Sequence, residues 1–205
     1  MGYPKFPRKK YSRPSHQWEA DRIKSENELL AKYGLKNKKE LWRAQSFLSS
    51  VRGRARELQA LVRYENRQAI KERDELIARL GRLGLMPLEG ASLDDVLALD
   101  VEAVLSRRLQ TVAYVKGLAF NPRQARQFIV HGHLAVGTRT VRVPGYLVTR
   151  SEEESIAYNT RSPISHDLHP ARPGVQQVTV PPVGSAEEPA GPAGEATQGD
   201  EGGPT

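Results

Sequence analysis

Apolar residues recur at loosely helical spacing in the first part of the chain. Over residues 18–33 they predict a helix, and Gly34 stands where helices commonly end. Asn37, with Glu40 three residues later, has the form of a capping box, in which each side chain bonds the other's backbone N–H. The pattern therefore predicts a second helix that opens at this point and runs on through residues 41–48.

Helical patterns continue towards the middle of the chain. One helix is predicted over residues 54–62 and another over residues 68–83. Ser92 precedes two carboxylates, which is typical of a capped helix start with acids in its first turn. Asp100 can cap a further helix, which the apolar spacing extends without interruption to Gly117.

A short basic helix is predicted next. Asn121 can cap it and Pro122 suits its first position, while Gln124 occupies the reciprocal position of a capping box. Gly132 is expected to end it. Steps of 100° per residue separate an apolar side from a polar one. The apolar side holds Ala125, Phe128 and Ile129, and the other side holds Arg123, Arg126, Gln127, Val130 and His131.

Alternating residues after this helix predict a hairpin. Gly137-Thr138 suits a two-residue type II′ turn, in which only the first central residue needs a positive φ. Such a turn fixes the register of the two strands. The predicted pairs are Leu134 with Val141 and Ala135 with Thr140.

The predicted fold is α+β and mainly helical. A helical domain is followed by a small module of two helices and a short antiparallel sheet. The tail holds seven Pro and seven Gly with few large apolar side chains, so disorder is expected there. The expected divisions are an extended basic arm (1–17), the helical domain (18–104), the module (105–150), a return segment packing on the helical domain (151–169) and a disordered acidic tail (170–205).

The distribution of charge along the chain indicates what kind of partner it binds. The net charge is +7, but the tail holds one of the 31 basic residues and five of the 24 acidic ones, so residues 1–169 carry +11. No carboxylate occurs between Glu102 and Glu152. Such a balance favours a polyanionic partner, either nucleic acid or a membrane surface, over a merely solubilising surface.

Several classes of protein are excluded or disfavoured. The chain has no cysteine, so disulfides and thiolate metal sites cannot form. No apolar run approaches the roughly 18 residues needed to span a bilayer, and no hydrophobic segment follows the basic N-terminus. A cytoplasmic protein is therefore expected.

Cationic and forked side chains are the candidate contacts to RNA, because they suit phosphates, sugars and base edges. The arm interleaves them with aromatics, which can stack on bases, although a merely solubilising terminus is the alternative. Most helical arginines are expected to lie on solvated faces; the cluster at residues 52–56 is the exception. The candidates are Lys5, Arg8, Lys9, Lys10, Arg13, Arg52, Arg54, Arg56, Arg107, Arg108, Lys116, Arg123, Gln124, Arg126, Gln127, His131, Gly132, His133, Arg139 and Arg142.

The chain resembles a known family. Arg107-Arg108-Leu109-Gln110, Gly117-Leu118-Ala119, Ala125-Arg126-Gln127, His131-Gly132-His133 and residues 141–146 are similar to the RNA-binding module named after the fourth protein of the small ribosomal subunit. Tyr33-Gly34-Leu35-Lys36-Asn37-Lys38 with Glu40-Leu41-Trp42 resembles the front part of that ribosomal protein family itself, in its archaeal and eukaryotic branch. The resemblance covers roughly residues 3–160.

This resemblance implies a structural protein that binds small-subunit (16S) ribosomal RNA early in assembly, beside the fifth small-subunit protein. It implies no catalysis, no cofactor, no small-molecule substrate and no obligate homo-oligomer. Gly137-Thr138 and Gly145 depart from the Asn-Gly turn and the Ser usual in the family. The zinc-binding cysteine cluster of many bacterial relatives cannot exist here.

The sequence has three other interpretations, as a metal-binding protein, an enzyme or an RNA chaperone. His131 and His133 could be metal ligands, but no other ligand cluster accompanies them, so RNA contact or helix termination is favoured. An RNA-modifying enzyme would need a separate catalytic domain, and no catalytic motif is present. A free-standing RNA chaperone could use the same module.

Overall fold

The computed structural model describes residues 9–88, 90–166 and 169–173. Eight α-helices, a three-stranded sheet and a 3₁₀-helix occur within these ranges. None of the described helices is both long enough and apolar enough to cross a membrane. The elements are α1 (Ala20–Lys32), α2 (Lys38–Arg63), α3 (Arg67–Arg82), α4 (Leu93–Ala98), α5 (Val101–Ser106), α6 (Leu109–Val115), α7 (Pro122–His131), β1 (Leu134–Val136), β2 (Arg139–Thr140), α8 (Arg150–Glu153), β3 (Ile156–Tyr158) and the 3₁₀-helix Pro163–Ser165.

The helical domain is built on α2. The sequence predicts two separate stretches, but this helix runs unbroken past Gly53, because its buried positions, at intervals of three, four and seven residues, stay on one side of a single helix. They are Leu41, Ala44, Leu48, Ala55 and Leu58. Ser92 and Asp95 form the predicted kind of cap on α4, with each side chain accepting a hydrogen bond from the other's backbone N–H.

The expected continuous helix up to Gly117 is wrong. The chain leaves the helical conformation at Arg108, whose ψ is 141°, and so separates α5 from α6. Backbone pairing with a later segment takes over there, since Leu109 N–H donates to Tyr146 O at 2.7 Å and Val148 N–H donates to Arg107 O at 2.9 Å. The break therefore comes from a partner almost forty residues away.

The hairpin register is the predicted one. Ala135 lies opposite Thr140 and Val136 opposite Arg139, so Gly137-Thr138 is a two-residue turn. Gly137 has a φ of 58°, whereas the φ of Thr138 is not positive. Only the first central position has a positive φ, as a type II′ turn requires and a type I′ turn does not allow.

The return segment joins the module rather than the helical domain. β3 pairs antiparallel with β1, giving the strand order β2-β1-β3. Ile156 and Ile164 are buried with the module core around Leu109, Phe128 and Ile129. The expected packing of this whole segment on the helical domain is therefore wrong, although Arg150 does donate to Met86 O at 2.9 Å.

A buried amide joins the two domains. Gln110 on α6 is fully buried, and its Nε2 donates to Gly34 O and to Pro122 O, each at 2.9 Å. Gly34 has a φ of 59°, and a Cβ built there would lie 2.8 Å from Pro122 Cβ. The turn between α1 and α2 therefore touches the start of α7 at a point where only glycine fits.

Candidate RNA-binding surface

Helix α7 divides into the two predicted sides. Ala125, Phe128 and Ile129 are buried, and Gly132 ends the helix with a φ of 80°. On the other side Arg123, Gln127 and His131 are exposed at intervals of four residues, so they form one stripe about 12 Å long.

Arg142 extends this stripe at its C-terminal end. Its Nε lies 3.1 Å from the position that a Cβ on Gly132 would occupy, which places the guanidinium beside Gly132, the residue that follows His131. The side chains of Arg123, Gln127 and Arg142 form no hydrogen bond or ion pair with other described residues. We call Arg123, Gln127, His131 and Arg142 the module surface.

Arg126 does not lie on that surface, contrary to the expectation. Its guanidinium forms a two-pronged pair with Glu40 of α2, with Nη2 2.7 Å from Oε1 and Nη1 3.1 Å from Oε2. Arg108, which is 6% exposed, donates to the same carboxylate at 2.7 Å. The geometry therefore commits Arg108 and Arg126 to joining the domains.

The environment of Glu40 favours its ionised form. Burial alone would raise the pKa of its carboxyl, but hydrogen bonds from Arg126 and Arg108 outweigh burial, so the pKa lies below its ordinary value. This use of Glu40 also explains why the predicted capping box at Asn37 is absent: the Asn37 side chain forms no capping hydrogen bond, and the Glu40 carboxylate points to the arginines.

Arg107 is likewise held inside the protein. It donates to Glu153 at 2.8 Å and to Val148 O at 3.1 Å, and its guanidinium lies against Gly84. Lys116 donates to the backbone carbonyl of Glu153. Neither side chain is a free cation, although Lys116 is exposed.

Gln124 has a structural role as well. Its Oε1 accepts a hydrogen bond from Phe120 N–H at 2.7 Å, and its Nε2 donates to Ala171 O at 2.9 Å. The predicted capping box with Asn121 is therefore wrong by one residue, because the amide reaches Phe120 instead.

His131 and His133 stack on each other. Their ring centroids are 6.0 Å apart and the ring planes are 8° from parallel. His133 Nδ1 lies 2.8 Å from Ser162 Oγ. Burial lowers the pKa of His133, and His131 and His169 lower it further. Within the described ranges no three His, Asp or Glu residues come together as a metal site would need.

Comparison with known proteins identifies the family. Residues 107–154 match the family described as S4 domain. The chain is 54% identical over 172 residues to the small ribosomal subunit protein uS4 of Picrophilus torridus, covering 84% of this chain and 93% of the relative. It is 50% identical over 198 residues to uS4 of Thermoplasma acidophilum, covering 97% of each chain. The chain belongs to the uS4 family.

The uS4 family confirms the resemblance seen in the sequence. A third relative, uS4 of Thermoplasma volcanium, is 52% identical over 172 residues, covering 84% of this chain and 86% of the relative. All three organisms are archaea, in agreement with the predicted branch. The family is a structural one and not a family of enzymes, as the sequence predicted.

The described part of the arm is attached to α2. Ser12 N–H donates to Ser46 Oγ at 2.9 Å, and the Tyr11 ring lies 6.2 Å from that of Trp42. Of the candidates in the arm, Lys9, Lys10 and Arg13 are exposed. Lys5 and Arg8 lie outside the described residues, as does the tail from residue 174 onwards.

The cluster at residues 52–56 is mostly engaged within the protein. Arg52 donates to Leu99 O, and Arg54 pairs with Glu72 at 2.6 Å. Arg56 is exposed and has no partner among the described residues. Arg139 is exposed on β2, and its charge acts on Tyr146 and Glu152 in the direction that lowers the pKa of each.

The sequence did not single out Arg43. This exposed residue of α2 lines a cleft of about 380 Å³ between the two domains, together with Phe47, Val143 and Gly145. Arg108, Arg126 and Glu40 also line this cleft. In the sequence Arg43 resembles the other solvated arginines. Only the packing of the two domains shows that it lines the cleft between them.

Proposed function

We propose that this protein is a structural constituent of the small ribosomal subunit and that it binds 16S ribosomal RNA through the module surface. The observation that carries this proposal is the stripe of Arg123, Gln127 and His131 on α7, continued by Arg142. These side chains are exposed on an S4 domain and have no carboxylate partner among the described residues.

In the proposed mechanism the protein recognises the RNA by its charge and by its shape. Arginine forks bind phosphate oxygens at two points, and Gln127 and His131 add hydrogen bonds to sugars or base edges. Each neutralised phosphate releases counterions, so affinity falls steeply with salt. RNA helices are recognised mainly by backbone and groove shape, so junctions are the expected targets.

The wider role is also part of the proposal. As a primary-type binder, the protein would nucleate assembly of the subunit body in the cytoplasm, next to the fifth small-subunit protein, and would contribute to translational accuracy. It would require no membrane, no small-molecule substrate and no second copy of itself. The net charge of +11 over residues 1–169 supports a polyanionic partner.

Purified protein and 16S ribosomal RNA from the same organism provide the test. We expect the protein to bind the RNA alone, without other ribosomal proteins, and to remain with small subunits through a high-salt wash. A protein that binds only after others have assembled would not be a primary binder. Loss from the subunits in the wash would favour the chaperone alternative.

A further inference from the structure

A second, separate feature lies at the start of the helical domain. An open cavity of about 370 Å³ is lined by the arm, the beginning of α1 and the first turns of α2. The chain contains two tryptophans, Trp18 and Trp42, and both line this cavity with Ile23. The described residues therefore place a large aromatic surface at a position that the module surface does not use.

Trp42 is held rigidly in the cavity wall. Its indole Nε1 donates to Glu26 at 3.0 Å, and the Tyr11 ring packs near it. Glu26 is 2% exposed and is neutralised by Arg22 at 2.8 Å and by Lys38 at 3.1 Å. The indole is therefore preorganised, and the buried carboxylate beneath it carries no unbalanced charge.

Trp18 is in a very different position. It is 90% exposed, although it borders the cavity. A tryptophan contributes to stability by burying its large apolar surface, and this one buries almost none. Its side chain therefore adds little to folding and is available to a ligand.

The charge around the cavity identifies the kind of ligand. Arg13 and Lys39 line it, are exposed and form no ion pair with other described residues. No carboxylate lines the cavity. Lys9 and Lys10 precede it in the arm and are exposed too. A ligand with a flat apolar part and a negative charge fits these walls.

We propose that this cavity binds one unpaired nucleotide of the ribosomal RNA, with its base against Trp18 and Trp42 and its phosphate near Arg13 and Lys39. Base stacking on aromatic side chains tolerates any base, so the site anchors the RNA without reading its sequence. This inference rests on the proposed RNA-binding function, but it concerns a different surface.

The test compares RNA binding by full-length variants. Trp18→Ala is expected to weaken affinity for 16S ribosomal RNA about five-fold or more and to leave the salt slope unchanged, because stacking releases no counterions. Trp18→Phe should restore most of the affinity. Tyr64→Ala is the matched control: Tyr64 is 84% exposed and lies about 30 Å along α2 from Trp42.

Tryptophan fluorescence adds a direct measurement, since both tryptophans report on the cavity. Quenching by RNA that is lost on Lys39→Ala and Arg13→Ala supports the site. If Trp18→Ala binds RNA with unchanged affinity and RNA does not quench the unmodified protein, while the module variants still lose affinity, the nucleotide site alone is overturned. A fluorescence change that requires another small-subunit protein assigns the cavity to a protein segment instead. Absence of any RNA binding by the unmodified protein overturns both proposals.

Discussion

Glu40 on α2 and Arg126 on α7 are joined by two hydrogen bonds, of 2.7 and 3.1 Å, across the boundary between the helical domain and the module. Arg108 adds a third bond to the same carboxylate. Two cations from the acid-free stretch thus share one carboxylate that lies more than sixty residues earlier in the chain. This cluster fixes the module relative to the helical domain.

Removing the carboxylate should destabilise the protein strongly. Glu40→Ala leaves Arg108 buried without an anionic partner, and breaking a buried ion pair in this way costs about 3 kcal/mol. Urea unfolding measures the change in the free energy of unfolding. Glu72→Ala serves as the control, because its pair with Arg54 is exposed and should contribute little. Equal effects of both substitutions would contradict the role given to Glu40.

The same cluster predicts a pH dependence. The pKa of Glu40 is below its ordinary value of 4.5 in the folded protein, so its contribution to stability is complete above pH 4.5. That contribution is lost as the pH falls through the folded pKa, because the unfolded state then gains a proton more readily. Glu40→Gln should therefore lose less stability than the unmodified protein as the pH falls below 4.5. Identical pH profiles would show that Glu40 is not linked to folding.

Substitution of glycine by alanine should lower the stability of the protein at one position and raise it at another. Gly34→Ala forces a Cβ to within 2.8 Å of Pro122 Cβ at a positive φ, and overpacking of this kind costs about 1–3 kcal/mol. Gly53→Ala adds a methyl group inside α2 with nothing within 4 Å, so it should stabilise the helix by about 0.5–1 kcal/mol. Thermal unfolding of both variants checks the pair. A stabilised Gly34→Ala would disprove the tight contact between the domains.

Local signals in the sequence were sufficient for the elements nearest the proposed surface. Asn121-Pro122 and Gly132 mark the ends of α7, and the apolar spacing identifies its buried side correctly. The hairpin register follows from a two-residue turn. In each case the residues that determine the structure lie within a few positions of one another.

Long-range partners account for what the sequence did not predict. The helix break at Arg108 depends on backbone bonds to the segment after Pro144, and β3 pairs with a strand some twenty residues earlier. The helical spacing placed Arg126 correctly off the apolar side of α7. It could not indicate that Glu40 lies against that side and pairs with Arg126.

The salt dependence of RNA binding tests the central claim most directly. The measurement compares the affinity of Arg123→Ala/Arg142→Ala with that of Arg54→Ala/Arg73→Ala, which removes the same charge from residues paired with Glu72 and Asp74. We expect the first double variant to bind 16S ribosomal RNA more weakly and to reduce the slope of log affinity against log salt by roughly 1.5. The control should change the slope little. An unchanged affinity and slope for Arg123→Ala/Arg142→Ala would contradict RNA binding at the module surface.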